Sequence, residues 1–298
     1  MTPEQLAEKF SSTPPEAFVG GDIGCKFFRL TYQDREAVLK IGHDEDSRAE
    51  IAANYQGYTS MAALFILDVV GPEIFLMSRE PRALHYILME DLGPDFRSSV
   101  SEENEARFMG AMTASFMVAY DRTKQEDMAV SVAWLEGIKA DQHRYFSNYL
   151  VGDGVLTPEE ADEVLALDVS KIAPPYVAWA TADLTPDNVY IRGCQAILAD
   201  PKQAGRGVPL VDVAMFGTLS EEIYAVPGGE CVRECSEMLA EDIAKLVDAP
   251  NMGAFELGRA RQFALSSRFQ FSRRPEKATE YGRQSLKLIR ELVEEYGA

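Results

Sequence analysis

The stretch TADLTPDNVYIRGCQAILADP, residues 181–201, decides the fold because it arranges three oxygen-bearing side chains around one predicted hairpin. Asp183 and Asn188 have four residues between them, and Asn188 stands directly before an apolar run. The segment VYIRGCQAILADP is typical of two short strands, and Asp200 follows the second of them. The strand pair therefore predicts that these side chains meet at one edge of a hairpin.

Phosphoryl transfer requires side chains of this kind. A carboxylate orients the acceptor hydroxyl and takes its proton, and oxygen ligands hold Mg²⁺ on the triphosphate. Asp183, Asn188 and Asp200 supply such groups. The pattern D-x-x-x-x-N is common by chance, but one that is followed by a strand pair ending in Asp and preceded by a glycine loop and a strand lysine in this order is not. The stretch therefore points to phosphoryl transfer.

Two features near the N-terminus fit a phosphate site. Gly20, Gly21 and Gly24 lie between two predicted strands, and glycines there let backbone amides approach phosphates closely. Lys40 lies in the apolar strand AVLKIG, where a buried ammonium needs an anionic partner such as Glu50 on the next helix. A flexible hairpin and a lysine on an exposed edge strand remain the alternatives for the two features taken singly.

The segment HYILMEDLG, residues 85–93, predicts a strand that runs straight into a connector. Backbone groups of Glu90 and Leu92 would be exposed where the strand ends, and a planar base such as adenine can pair with such groups. A plain strand end is the alternative interpretation.

The chain divides into two predicted parts. Strands at 26–32, 37–41, 73–78 and 85–90, with a helix capped by Asp46 or Ser47, give an N-terminal nucleotide-binding lobe at 1–92. A helix capped by Thr2 and Gln5 precedes them. Helices at 101–121, 132–150, 157–167 and beyond about 209 give a catalytic and substrate-binding lobe at 93–298. The predicted class is α+β, with a ligand between the lobes.

Composition narrows the class of ligand. The 298 residues carry a net charge of −19, which disfavours nucleic acid and favours a cationic ligand, although many soluble proteins are acidic. No apolar run is long enough for a membrane span, and MTPEQLAEKF is not a signal peptide, so we expect a cytoplasmic protein. Cys231 and Cys235 are expected to be reduced thiols. Nothing here predicts the oligomeric state.

Taken in chain order, these features resemble the kinase-like small-molecule phosphotransferases. The glycine loop, the strand lysine, the helix glutamate, the connector LMEDLG and the D-x-x-x-x-N loop follow the order seen in aminoglycoside phosphotransferases, fructosamine kinases and streptomycin-type kinases. The run LADPKQAGRGVPLVDVA, residues 198–214, is similar to the family's metal-binding segment. The resemblance implies a bilobal protein-kinase-like fold, with a small sheet and one helix in the N-terminal lobe.

The resemblance also implies cofactors and roles. ATP and magnesium would be bound, with Asn188 and Asp200 as metal ligands. Lys40 would contact the α- and β-phosphates and Glu50 would position it, although their spacing is short for the family. The glycine loop would cover the phosphates. Asp183 would be the catalytic base.

Two further family roles concern the connector and the scaffold. Glu90 and Leu92 would offer backbone groups to adenine, and Asp212 would brace the catalytic loop. Thr181 and Ala182 stand where the family has His and Gly, so the bracing of this loop is a departure from the pattern.

The acceptor implied by the resemblance is a hydroxyl of a small molecule. A cationic antibiotic of the aminoglycoside or peptide type and an amino sugar are the candidates. A nucleotide-binding pseudokinase or scaffold is the first alternative, supported only by the Thr181–Ala182 departure. A protein kinase is the second, and the absence of G-x-G-x-x-G disfavours it.

Overall fold

A computed structural model of the protein describes residues 1–19, 24–79, 84–181, 183–202, 204–271 and 273–297. The strands are β1 Glu16–Phe18, β2 Lys26–Tyr32, β3 Arg35–Gly42, β4 Ile74–Ser78, β5 His85–Glu90, β6 Gln125–Glu126, β7 Tyr176–Ala180, β8 Val189–Arg192, β9 Gln195–Leu198 and β10 Gly205–Gly207. The helices are α1 Pro3–Phe10, α2 Glu45–Ala63, α3 Leu67–Val70, α4 Phe96–Ser99, α5 Glu105–Thr123, α6 Met128–Tyr145, α7 Pro158–Asp162, α8 Pro209–Thr218, α9 Gly229–Leu246, α10 Gly253–Gln270 and α11 Pro275–Tyr296.

The N-terminal part is an antiparallel sheet in the order β1-β2-β3-β5-β4. Gln33 and Asp34 join β2 to β3 with φ of 51° and 65°, the backbone of a type I′ turn, whose twist matches that of the strands it connects. Residue 40 lies opposite Ile87 in the register of β3 and β5, so the candidate lysine is on the central strand of the sheet. The predicted strands 26–32 and 85–90 are confirmed.

Helices cover both faces of this sheet. Leu6 and Ala7 of α1 pack with Leu39 on one face, and Thr2 and Gln5 form the predicted capping box. On the other face, α2 packs with Ile87 and continues the core of the helical part.

The start of α2 differs from the prediction. Asp44 caps the helix, and not Asp46 or Ser47, because the Asp44 Oδ1 accepts the Ser47 N–H at 2.8 Å. Ser47 completes the box by accepting the Asp44 N–H at 3.1 Å. Asp44 and Ser47 therefore form the capping box of this helix.

The C-terminal part is mostly helical and surrounds α8, whose ten residues are all buried. Phe116 of α5 stacks on Trp179 of β7 at a centroid distance of 5.7 Å. The predicted helix 101–121 begins only at Glu105, because the Asn104 side chain accepts the Ser101 N–H and closes a turn first. None of the helices in the described part of the chain is long and apolar enough to cross a membrane.

Candidate active site

The cleft between the sheet and the helical part contains the predicted lysine in a cluster of acceptors. Lys40 is only 6% exposed, and its Nζ lies 3.1 Å from Glu50 Oε1 and 2.7 Å from Asn54 Oδ1. Glu50 and Asn54 are one turn apart on α2, so both side chains face β3. The short spacing in sequence therefore does not prevent the Lys40–Glu50 pair.

The same ammonium joins the two parts of the molecule. Lys40 Nζ lies 2.8 Å from Oδ1 of Asp200, which stands after β9 in the C-terminal part. Asp200 has a φ of 61°, an uncommon conformation outside glycine that turns its carboxylate back toward the cleft. Its N–H is donated to the Tyr58 hydroxyl of α2 at 3.2 Å.

Helix α2 touches the Asp200 segment at a second point. A Cβ atom on Gly57 would lie 1.4 Å from the carbonyl oxygen of Pro201, so only glycine allows this approach. Close backbone contact, the Tyr58 hydroxyl and the Lys40 ion pair together hold α2 against the segment that carries Asp200.

A second lysine, Lys202, lies in this cluster. Its Nζ is 2.9 Å from Glu50 Oε1 and 3.1 Å from Asp200 Oδ2. Burial alone would lower the pKa of Lys202, but the charges of Asp200 and Glu50 outweigh burial and raise it. Burial likewise acts to raise the pKa of Asp200, and the two lysines overcome it, so that this pKa lies below its ordinary value.

The loop that carries Asp183 is held from the other side. Thr181 is 1% exposed, and its N–H is donated to Oδ2 of the buried Asp212 on α8 at 2.6 Å. The Thr181 hydroxyl in turn accepts the Asp183 N–H at 3.0 Å. The contact expected of Asp212 is therefore present, and a threonine hydroxyl holds the loop where the family has histidine.

Burial sets the proton affinity of Asp183. Its carboxyl group lies in a largely desolvated position, and this raises the pKa of Asp183 to about 6. The charge of Lys202 opposes the shift, while the charge of Asp200 adds to it. Asp183 is therefore a carboxylate near neutral pH and a stronger base than an exposed aspartate.

The hairpin places the backbone of Asn188 beside Ala199, the residue before Asp200. Val189 pairs with Leu198 at the open end of β8 and β9, and the Ala199 N–H is donated to the Asn188 carbonyl at 2.8 Å. The Asn188 amide nitrogen faces the Asp183 carbonyl at 3.5 Å. Within the described residues its Oδ1 has no hydrogen-bond donor, so this oxygen remains available to a ligand.

The connector after β5 contains a side-chain contact that the sequence did not suggest. The Glu90 carboxylate accepts the Glu73 N–H at 2.8 Å and pairs with Arg192 of the hairpin. Within the described residues, neither the N–H nor the C=O of Leu92 has a hydrogen-bond partner. The Glu90 N–H is donated to the Glu73 carbonyl at 3.0 Å, so the predicted contact to adenine has free main-chain groups at Leu92 but not a free N–H at Glu90.

The predicted glycine loop is described only in part. Gly20 and Gly21 lie outside the described residues. Gly24 has a φ of 65°, and a Cβ atom there would lie 3.6 Å from Oδ2 of Asp44. The backbone at Gly24 therefore adopts a conformation that favours glycine.

Sequence reasoning missed three residues of the cluster, namely Asn54, Tyr58 and Lys202. Asn54 and Tyr58 follow Glu50 at intervals of four along a helix, which is the signal that they share its face. Lys202 stands two residues after Asp200 in the run DPK, and only the left-handed turn at Asp200 shows that it folds back.

Comparisons with known proteins agree with this architecture. No protein-family model matches the chain, and no curated protein matches it in sequence. A thermostable mutant of the aminoglycoside phosphotransferase APH(4)-Ia, in a ternary complex with ADP and hygromycin B, has a TM-score of 0.60 at 18% identity, covering 98% of this chain and 97% of that chain.

Two further solved structures are similar. An aminoglycoside-3'-phosphotransferase of type VIII has a TM-score of 0.56 at 15% identity, covering 97% of this chain and 96% of that chain. A fructosamine-3-kinase candidate from Haemophilus somnus 129PT has a TM-score of 0.59 at 11% identity, with the same coverage. The predicted bilobal α+β fold is confirmed: this chain has the fold of the aminoglycoside phosphotransferases.

Proposed function

We propose that the protein transfers the γ-phosphoryl group of ATP to a hydroxyl of a small molecule, with magnesium as the metal. The observation that carries this proposal is the pairing of Lys40 with Asp200 at 2.8 Å, next to a loop that presents Asp183. The cleft thus combines cations for phosphate with a carboxylate base. The boundary between the lobes would lie at residues 92 and 93.

Asp183 would accept the proton of the acceptor hydroxyl. The hydroxyl oxygen forms the new bond to the γ-phosphorus, the bond from that phosphorus to the bridging oxygen breaks, and ADP leaves. A pKa of about 6 keeps Asp183 ionised at neutral pH while retaining more basicity than an ordinary aspartate has. Thr181 and Asp212 would keep this carboxylate in place.

The nucleotide would lie between the sheet and the helical part. Lys40 would contact the α- and β-phosphates, held there by Glu50 and Asn54. The free main-chain groups of Leu92 would meet adenine, and the backbone at Gly24 would lie over the phosphates. We propose the same phosphate role for Gly20 and Gly21.

Asn188 and Asp200 would hold the magnesium ion. Their amide and carboxylate oxygens are the hard donors that Mg²⁺ prefers, and phosphate oxygens and water complete its shell in nucleotide sites. In the described part of the chain, no three His, Cys, Asp or Glu side chains form a metal cluster. When bound, the metal would neutralise phosphate charge.

The acceptor would be a small and cationic molecule. The net charge of −19 attracts cations, and the similar APH(4)-Ia structure contains hygromycin B. An aminoglycoside, a cationic peptide antibiotic or an amino sugar suits this charge, so that antibiotic resistance is the proposed role. The four cysteines are free thiols, in keeping with a cytoplasmic enzyme.

An acceptor screen tests this function. The protein is incubated with Mg-ATP and single members of a panel of aminoglycosides, peptide antibiotics, amino sugars and fructosamines, and products are identified by mass spectrometry. We expect one class to gain a phosphoryl group, and Asp183→Asn to lower its turnover by about 10²–10⁴-fold while ADP affinity is retained.

Asp187→Asn is the matched control, since Asp187 lies in the same loop and pairs with Arg97 at 3.3 Å. It should keep its turnover. Transfer that survives in Asp183→Asn would contradict the role of the base. ADP binding without any phosphorylated product would favour a nucleotide-binding scaffold, and label on protein alone would favour a protein kinase.

A further inference from the structure

Lys202 has no role in the reaction as proposed, yet it occupies a central position. Its ammonium bridges Glu50 and Asp200 at 2.9 and 3.1 Å, while Lys40 occupies the other oxygen of the same aspartate at 2.8 Å. Both carboxylate oxygens of Asp200 therefore face an ammonium group.

This arrangement conflicts with a metal ion at Asp200. Mg²⁺ binds carboxylate oxygens at about 2.1 Å, so a metal at Asp200 would lie within a few ångströms of both ammonium groups. Like charges at such distances repel strongly in a partly desolvated cleft. One lysine therefore has to leave Asp200 before a metal can bind it.

Lys202 is the lysine that can leave. Lys40 is almost fully buried on a central strand and keeps Glu50 and Asn54 as partners, so moving it would break two further contacts. The Lys202 side chain is 26% exposed and extends from a turn, in which its N–H is donated to the Asp200 carbonyl at 2.9 Å. Only its side-chain dihedrals have to change for it to leave.

A nucleotide would offer the displaced ammonium a new partner. The Lys202 ammonium lies 3.1 Å from Oδ2 of Asp200, the proposed metal ligand, and therefore beside the site proposed for the phosphates. Phosphate oxygens brought by ATP or ADP are better acceptors for an ammonium group than solvent is. The nucleotide can thus take Lys202 from Asp200 at the moment when a metal arrives.

We propose that Lys202 is a resident cation of the transfer site that couples metal binding to nucleotide binding. Without ligand it neutralises Asp200 and Glu50 and competes with the metal. With nucleotide it moves from Asp200 to the phosphates, and Asp200 becomes free for the metal. This inference rests on the nucleotide and metal sites of the proposed function.

The proposal predicts a thermodynamic coupling between metal binding and nucleotide binding, which can be measured. If Lys202 obstructs the metal only in the absence of nucleotide, ADP should increase the affinity for metal, and metal should increase the affinity for ADP by the same factor. Removing the ammonium should raise the affinity for metal alone and reduce that factor. A lysine with a purely structural role would change neither in this way.

The experiment measures binding of Mn²⁺, a spectroscopic substitute for Mg²⁺, by electron paramagnetic resonance with and without ADP. We expect Lys202→Met to bind Mn²⁺ alone about tenfold more tightly than the wild type does, and the coupling factor between Mn²⁺ and ADP to fall about tenfold. Lys26→Met, which removes an exposed ammonium paired with Glu4, is the control and should change neither quantity.

Equal Mn²⁺ affinity in Lys202→Met and wild type, or an unchanged coupling factor, would overturn the proposal. Lys202→Gln keeps polar contacts to the two carboxylates and gives the same comparison if the methionine variant unfolds. The titrations use no acceptor, so they separate the two ideas: a screen without product tests the proposed reaction, whereas the Mn²⁺ affinity of the variants tests Lys202.

Discussion

The two aspartates of the candidate site are held by opposite sides of the molecule. Asp200 is fixed by helix α2 and the N-terminal sheet, through the Tyr58 hydroxyl and the ammonium of Lys40. Asp183 is fixed by the helical part, through Thr181 and the buried Asp212. One carboxylate is therefore tied to α2 and the N-terminal sheet and the other to the helical part.

The electrostatic environments of the two carboxylates also differ. Two ammonium groups surround Asp200 and hold its pKa below the ordinary value, whereas burial raises the pKa of Asp183 to about 6. Asp200 thus favours the charged form that a metal ligand needs. Asp183 has greater proton affinity, which a base needs, and the fold bears the cost of its burial.

The largest loss of fold stability should come from removing the charge of Asp200. Asp200→Asn leaves Glu50 as the remaining carboxylate beside Lys40 and Lys202 in a desolvated site, so the free energy of unfolding at pH 7 should fall by about 3 kcal/mol. Urea unfolding measures this. Asp187→Asn, which removes the charge of a surface pair with Arg97, is the control and should change the free energy of unfolding by less than about 0.5 kcal/mol. An equally small effect of Asp200→Asn would show that the ion cluster does not stabilise the fold.

The same change at Asp183 should have the opposite sign. The folded-state pKa of about 6 lies above the value near 3.9 in an unfolded chain, so the free energy of unfolding falls as the pH rises from about 4 to about 6, and the full cost of burying ionised Asp183 is present above about pH 6. Asp183→Asn should therefore raise the free energy of unfolding at pH 8 by about 3 kcal/mol. The gain should vanish near pH 4, and a variant less stable than wild type at pH 8 would contradict the assigned shift.

Activity should follow the protonation of the same group. The wild type should lose kcat/KM about tenfold per pH unit as the pH falls below about 6, because only the ionised carboxylate accepts the hydroxyl proton. A pH–rate profile with saturating nucleotide measures this. A limb that falls only below about pH 4 would mean that the base titrates as an exposed aspartate does.

The sequence predicted the parts of this site that depend on local spacing. Asn188 and Asp200 are joined by a hairpin whose alternating pattern and turn are visible in the chain, and Lys40 lies in a recognisable strand. The fold class followed from the order of these pieces. Each prediction rests on residues within one element or between consecutive elements.

Contacts between distant segments were not predictable in the same way. The pairing of Lys202 with Glu50 joins residues 152 positions apart, and it depends on a left-handed backbone at Asp200, which aspartate tolerates but does not require. The cap of α2 was misplaced by two or three residues, since several acidic and polar side chains compete for that position. Gly57 gave no signal because its partner, Pro201, is far along the chain.

Gly57 offers a way to disturb the Asp200 side alone. A Cβ atom there would lie 1.4 Å from the Pro201 carbonyl oxygen, so Gly57→Ala should force α2 away from the segment and cost about 1–2 kcal/mol, in spite of the better helix propensity of alanine. Gly110→Ala in α5 is the control, since no atom lies within 4 Å of its Cβ position. Gly110→Ala should leave the free energy of unfolding unchanged or raise it. The same result for Gly57→Ala would show that α2 and Pro201 are not in close contact.

Thr181 offers the corresponding change on the Asp183 side, with a smaller expected effect. Thr181→Val keeps the shape of the buried side chain but removes the hydroxyl that accepts the Asp183 N–H at 3.0 Å, so the free energy of unfolding should fall by about 1 kcal/mol. Thr181→Val should lower kcat and change KM for the nucleotide less. Thr181→Ser keeps the hydroxyl and should retain most of the wild-type kcat. Equal kcat values in the two variants would mean that the loop is held by Asp212 through the Thr181 main chain alone, and the hydroxyl would then be no substitute for the family histidine.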